Sequence, residues 1–332
     1  MRISLLGRFA LCAGATIALL SGCGAPTTTD SGLGSLPEMR GRAFQRIGSG
    51  ASYKVTKGLL FVALSGMRAP YDQVNVYDTR AKNPSPLATI TDGVSYPQSA
   101  CMDSEGTLYV TNQGSGKGWV SEYPLGKTEP SATITNGMSG PGFCAIDGDG
   151  NLWVANIFTS GVVEYKKGTT SPYTTITKGI FFPIGIAIDH FGNLYVANRD
   201  GTSETNVVVY LPKHKSPART ITAGLTYPEG IGVDAKATLY VTNLIPGTIE
   251  EYRVGQSQPY REIMKDMNGP VAVTFAKSGW FYISNSDTIG GGSGPAPAII
   301  EFPPGSQTPA KKMITKELAD PSGTVYYPPL LP

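Results

Sequence analysis

The chain holds only two histidines, His190 and His214, and their places limit its acid-base chemistry. Histidine exchanges a proton most readily near neutral pH, and a serine nucleophile needs such a base within hydrogen-bond reach. His190 stands in Asp189-His-Phe-Gly192 and His214 in Lys213-His-Lys215, and both segments read as tight turns. A hard cation wants six or more oxygens, several from carboxylates; Glu229 with nearby amides is the nearest approach to such a set. Asp147-Gly-Asp-Gly-Asn151 spaces its acids suggestively, yet it lacks the length and the closing Glu of an EF-hand loop. The Gly-rich run from Ser286 to Pro297 ends in no Gly-Lys-Ser or Gly-Lys-Thr, so it is not a phosphate loop. No catalytic set, resident metal or cofactor is expected.

The elements carrying these residues repeat. Gly106-Thr-Leu-Tyr-Val-Thr-Asn112 returns as Gly150-Asn-Leu-Trp-Val-Ala-Asn156, Gly192-Asn-Leu-Tyr-Val-Ala-Asn198 and Ala237-Thr-Leu-Tyr-Val-Thr-Asn243, with weaker copies from Gly58 and Gly279. Before these copies stand segments running from Pro97 to Asp103, Pro141 to Asp147, Pro183 to Asp189 and Pro228 to Asp234, their prolines 44, 42 and 45 residues apart. After each copy a short segment ends in an aromatic residue: Tyr77, Tyr123, Tyr165, Tyr210, Tyr252 or Phe302. A fourth segment such as Ala132-Thr-Ile-Thr135 closes the unit. Four short β-rich segments between turn residues predict an all-β, six-bladed β-propeller of four-stranded antiparallel blades. The unit beginning near Gly58 lacks a first strand of its own, so residues 321–327 are expected to complete that blade and close the ring. The aspartates at the first hairpins, Asp103, Asp147, Asp189 and Asp234, read as turn formers.

The N-terminus carries Arg2 and Arg8, then an apolar stretch from Phe9 that runs into Leu20-Ser-Gly-Cys23. This is the layout of a secretory signal, with a core too short for a permanent span. The box resembles that of bacterial lipoproteins, whose cysteine is acylated before cleavage. The resemblance implies a signal peptide over residues 1–22, lipidation of Cys23, a tether over 23–50 rich in Thr, Ser and Gly, and a propeller over 51–332. It further implies an extracytoplasmic domain held at a bacterial membrane by its lipid, the outer one where the organism has one, since Gly24 rather than aspartate follows the cysteine. Without residues 1–22 the chain loses two of its 27 basic residues and none of its 25 acidic ones, so the mature domain is formally neutral. Neutrality without a basic run argues against nucleic acid, and a monomer is expected.

The motifs Pro183-Ile-Gly-Ile-Ala-Ile-Asp189 and Gly192-Asn-Leu-Tyr-Val-Ala-Asn198 resemble the NHL repeat, and the likeness extends over roughly residues 51–328. It implies a ligand surface at one mouth of the central channel, where first strands begin and second strands end. That rim would hold Gln98, Glu229, Arg199, Asp200, Asn112, Asn156, Asn198, Asn243 and Asn285, with Tyr96, Phe182 and Tyr227 beside the prolines. A residue recurring in every repeat usually serves the repeat, so the asparagines are expected to cap turns; Glu229 and Gln98 break the symmetry. The loops Arg199 to Asn206 and Ser286 to Pro297 are the longest at this face and are candidates for recognition. NHL-like propellers include sensors, adaptors, lyases and lactonases. The expected function is recognition of an envelope protein, peptide or glycan without catalysis. The alternatives are a lyase or lactonase using calcium or magnesium at Glu229, and a structural role in envelope assembly. Both histidines are expected at the opposite face.

Cys101 and Cys144 lie in the first strands of adjacent blades, two and three residues before their aspartates. The pleat then points them to opposite sides, and two buried thiols are expected rather than a disulfide.

Overall fold

The computed structural model describes residues 52–65, 72–199, 205–264, 266–286, 296–310 and 313–332. Cys23, Asp200, the signal and tether, and most of the two long loops lie outside the described residues. The propeller lies in a compact unit, Ile47–Pro332, which contains every strand described below.

Alternation within the repeated pentapeptide explains the architecture. In Leu108–Asn112 the side chains of Leu108, Val110 and Asn112 point to one side of the sheet, those of Tyr109 and Thr111 to the other. Both sides are buried, so the sheet must be covered twice. Six four-stranded antiparallel sheets achieve this by stacking face to face in a ring. Blade 2 is built from Pro97–Met102, Leu108–Asn112, Trp119–Tyr123 and Ala132–Ile134, and blades 3 to 5 repeat the plan from Pro141, Pro183 and Pro228. Blade 6 follows from Pro270 to Ile314. The hydrophobic core is correspondingly divided into six clusters, one per interface. In each, the aromatic-bearing side of one blade meets the Leu/Val side of the next: Phe61 with Leu108 and Val110, Tyr109 with Leu152 and Val154, Tyr195 with Leu239 and Val241, Tyr282 with Leu60 and Val62.

Closure occurs as the missing strand required. Pro321–Tyr327 pairs antiparallel with Leu59–Leu64, from Leu59 opposite Tyr327 to Leu64 opposite Pro321, and so becomes the inner strand of blade 1. The chain then turns beneath the ring. Pro329 bridges to Ala276, Leu330 packs on the blade 5–6 core and Leu331 on the blade 2–3 core. This tail and the lower ends of all six inner strands surround a small cavity of about 130 Å³.

In blades 2 to 5 two side chains fasten the connection arriving from the preceding blade. The tyrosine ending the third strand donates to a main-chain carbonyl there: Tyr123 to Asp92 at 2.5 Å, Tyr165 to Asn136 at 2.7 Å, Tyr210 to Lys178 and Tyr252 to Ala223 at 2.6 Å. Burial pushes the Tyr210 hydroxyl up to about 12, so it stays a donor. Gly93, Gly137 and Gly224 follow three of those carbonyl residues with positive φ, and a Cβ at any of them would come within about 3.1 Å of the tyrosine oxygen. Glycine is required there for both reasons.

The two cysteines correct the sequence expectation. Cys101 and Cys144 form a disulfide, with Cα atoms 5.8 Å apart. They do point to opposite sides of their own sheets. In stacked blades, however, the far side of blade 2 faces the near side of blade 3, so opposite directions bring the sulfurs together in that interface.

Two outcomes are expected. Deleting residues 318–332 removes the closing strand and should lower the melting temperature by at least roughly 10 °C, measured by circular dichroism. In the denatured unit Ile47–Pro332 a thiol assay should find no free cysteine. Replacing both cysteines with serine should lower stability by about 2–4 kcal/mol, since the bond closes a loop with a sequence separation of 43.

Candidate functional site

At the upper face, where inner strands begin, most expected rim residues are occupied with the scaffold. Each asparagine ending a second strand accepts from the main chain 17 residues earlier: Asn112 from Ser95 at 3.0 Å, Asn156 from Ser139 and Asn198 from Phe181 at 3.2 Å, Asn243 from Thr226 at 3.1 Å, Asn285 from Asn268 at 2.8 Å. Asn156, Asn198 and Asn243 also donate to the carbonyls of Gly137, Gly179 and Gly224. Their amides are buried latches. Gln98 folds onto its own turn, its Nε2 3.3 Å from the Tyr96 carbonyl. Tyr96 and Phe182 hold positive φ values of 49° and 45°, where Gly140 and Gly269 stand in other blades. Such φ values store backbone strain in non-glycine residues.

Glu229, Arg199 and Tyr227 converge. The second strand of blade 4 ends in Arg199 and the inner strand of blade 5 carries Glu229 as its second residue, so the two meet across the blade interface. The guanidinium Nη1 and a carboxylate oxygen of Glu229 form a buried ion pair, and the guanidinium carbon lies 4.1 Å from the centroid of the Tyr227 ring. Other blades place Ile157, Leu244, Ile184 and Val271 at these two positions. Glu229 is therefore engaged by an arginine, which disfavours it as a metal ligand. Among the described residues no group of three His, Cys, Asp or Glu converges to hold a cation.

A cleft with a volume of about 890 Å³ lies at the opposite face, between blades 3 and 4. One wall is the first hairpin of blade 3, with Asp147, Asp149 and Trp153, continued outward by Lys166 and Tyr173; the other is the His190-Phe191 turn and Leu211 to Lys215 of blade 4. Both histidines line this cleft. Asp147 is saturated: it accepts from the main-chain nitrogens of Asp149 and Asn151, from Asn151 Nδ2 at 2.9 Å and from Trp153 Nε1 at 2.9 Å. Those bonds bear out turn chemistry at this aspartate and fix the indole. Lys166 pairs with Glu164 at 2.5 Å and stands 4.1 Å from the Tyr173 ring centroid. Among the described residues neither imidazole hydrogen-bonds a hydroxyl, thiol or carboxylate. The arrangement is suited to contact and hydrogen bonding rather than to nucleophilic attack.

Sequence reasoning missed this cleft, although a signal was present. Phe191 occupies a hairpin position filled by Glu105, Asp149, Lys236 and Ser278 in other blades, and Leu211 follows a tyrosine where Lys166 and Arg253 stand elsewhere. Of the nine large hydrophobic side chains exposed among the described residues, three, Tyr173, Phe191 and Leu211, line it.

Two variants test the electrostatics. Arg199→Leu leaves a buried carboxylate alone and should cost about 3–5 kcal/mol, whereas Arg199→Leu with Glu229→Ile, which copies neighbouring blades, should recover most of it in denaturant melts. Glu250, buried in blade 5 opposite Glu262, has its carboxyl pushed up to about 7 by burial and then by the neighbouring acid. A raised carboxyl contributes stability in full below its unfolded value near 4.5 and loses it as pH rises through about 7. Glu250→Gln should therefore raise the melting temperature by a few degrees at pH 8.5 and by little at pH 4, read by scanning calorimetry.

No protein-family model matches the chain, and no curated protein matches it. Solved structures do. Hydrazine synthase of Kuenenia stuttgartiensis aligns with a TM-score of 0.51 at 17% identity over 62% of this chain, which spans 62% of that one. The nidogen/laminin complex gives 0.64 at 17% identity, covering 80% of this chain and 96% of that one. A protein of unknown function from Bacteroides caccae gives 0.63 at 14% identity, covering 81% and 98%. At such identities the likeness establishes the fold, a six-bladed β-propeller.

Proposed function

We propose that this chain is an exported, membrane-tethered recognition propeller that holds an envelope protein, peptide or glycan in the cleft between blades 3 and 4, without catalysing a reaction. The observation that carries the reading is the cleft itself. Its volume of about 890 Å³ is within the range of binding sites for small ligands, and it gathers exposed aromatic and cationic side chains between two four-stranded sheets. Export is supported by the signal-like N-terminus and by the Cys101–Cys144 disulfide, since such bonds persist in oxidising compartments. Tethering follows from Cys23 and the lipid it would carry. A chain of like fold comes from a complex of nidogen with laminin, which supports this scaffold as one suited to recognising another macromolecule.

The test has two parts. Wild-type protein should fractionate with membranes, and Cys23→Ser should move it to the soluble extracytoplasmic fraction. Cross-linking from the intact envelope should then capture a partner that Phe191→Ala with Tyr173→Ala loses and Gln98→Ala keeps. Loss with Gln98→Ala and retention by the cleft variant would overturn the placement and return the site to the upper mouth.

A further inference from the structure

We infer that the cleft between blades 3 and 4 takes an acidic oligosaccharide, a carboxylated sugar chain, an inference that rests on the cleft being the recognition surface. Three features on its walls select that chemistry. The first is a set of aromatic faces at different depths: Trp153 half-buried, Phe191 58% exposed and Tyr173 64% exposed. Sugar rings present C–H faces that pack on aromatic rings while their edges make hydrogen bonds, and rings with a polar neighbour suit such two-sided contact. Lys166 covers one side of Tyr173 and orients the ring, which leaves its other side open.

The second feature is the uneven charge. Among the described residues no carboxylate lies within ion-pair distance of Lys213 or Lys215, whereas Lys166 is already neutralised by Glu164. Of the three side-chain carboxylates on the walls, Glu164 is paired and Asp147 is saturated, so Asp149 near Gly148 and Pro332 is the one left to accept from hydroxyls. The outer end of the cleft thus offers ammonium groups that no carboxylate among the described residues neutralises, beside His214, although Lys215 also bonds the Thr174 hydroxyl, and the inner end offers an acceptor. A ligand with hydroxyls along its length and a carboxylate at its outer end matches both.

The third feature disfavours a peptide added as a strand. The outermost strand of blade 3, Pro172–Ile176, begins with a residue that has no N–H. It is also crossed by Lys215, whose ammonium bonds the Thr174 hydroxyl from blade 4.

The unit Ile47–Pro332, which contains the whole closed ring, is the protein for the test. It is applied to an array of uronate- and sialate-bearing oligosaccharides with their methyl-esterified counterparts, beside acidic peptides, and hits are titrated by Trp fluorescence. The expected result is binding of carboxylated sugars at least tenfold tighter than their esters, with a change in indole emission. Lys213→Gln with Lys215→Gln, and separately Phe191→Ala, should each lose about tenfold while melting unchanged. Equal binding of esters, or acidic peptides bound in place of sugars with the same variants losing affinity, overturns the acidic-sugar assignment and leaves the cleft as the recognition surface. A hit unaffected by every cleft variant, or no hit together with an envelope partner captured by the cleft variants, overturns both.

Discussion

The pairing of Pro321–Tyr327 with Leu59–Leu64 is the contact on which the structure depends. Each blade buries both faces of its sheet, and no blade can do so alone. A row of such sheets always leaves one naked face at either end, together with the edges of its terminal strands. Joining the C-terminal strand to the N-terminal blade makes the row a ring and removes both problems at once. The Tyr282 side of blade 6 then meets Leu60 and Val62 of blade 1 as any other pair of neighbours would. The tail beneath the ring adds Leu330 and Leu331 to two cores on different sides of the channel.

Face-to-face stacking also explains which residues serve the repeat. Asn112 and Tyr123 lie on the side of blade 2 that faces blade 1, and both reach the segment that enters from it. In blades 2 to 5 an amide and a phenol satisfy main-chain groups in a loop that could not be paired by sheet bonds, which buried backbone requires. The first blade, where Leu64 takes the place of the asparagine, is the one whose inner strand is supplied from the other end of the chain. The same stacking turns an argument about pleat direction against itself in the case of Cys101 and Cys144.

A site on a symmetric scaffold must break the symmetry, and this chain does so in two places. Arg199 and Glu229 stand where the adjacent blades carry aliphatic residues, at one blade interface near the upper face, and neutralise each other, so that departure is an internal one. Phe191, Leu211 and Tyr173 depart toward solvent, on one cleft, together with lysines that have no acidic partner among the described residues. The second kind of departure has no use within the fold that the structure reveals, which is why it is the better guide to function.

The sequence by itself determined the blade count, the strand content of each unit, the closing segment and the Asp turns, because these follow from local periods and from the turn chemistry of Gly, Pro, Asn and Asp. Even the structural role of the asparagines was legible, from their recurrence. Only the tertiary structure decided that Cys101 meets Cys144, that Arg199 and Glu229 pair, and that His190 and His214 line one cleft with Trp153 and Tyr173. Each of these is a contact between neighbouring blades or across a cleft between them. Their partners are separated by 30 residues or more for the cysteines and the ion pair, and relative placement there is set by the stacking angle and register of whole sheets, which no local pattern encodes.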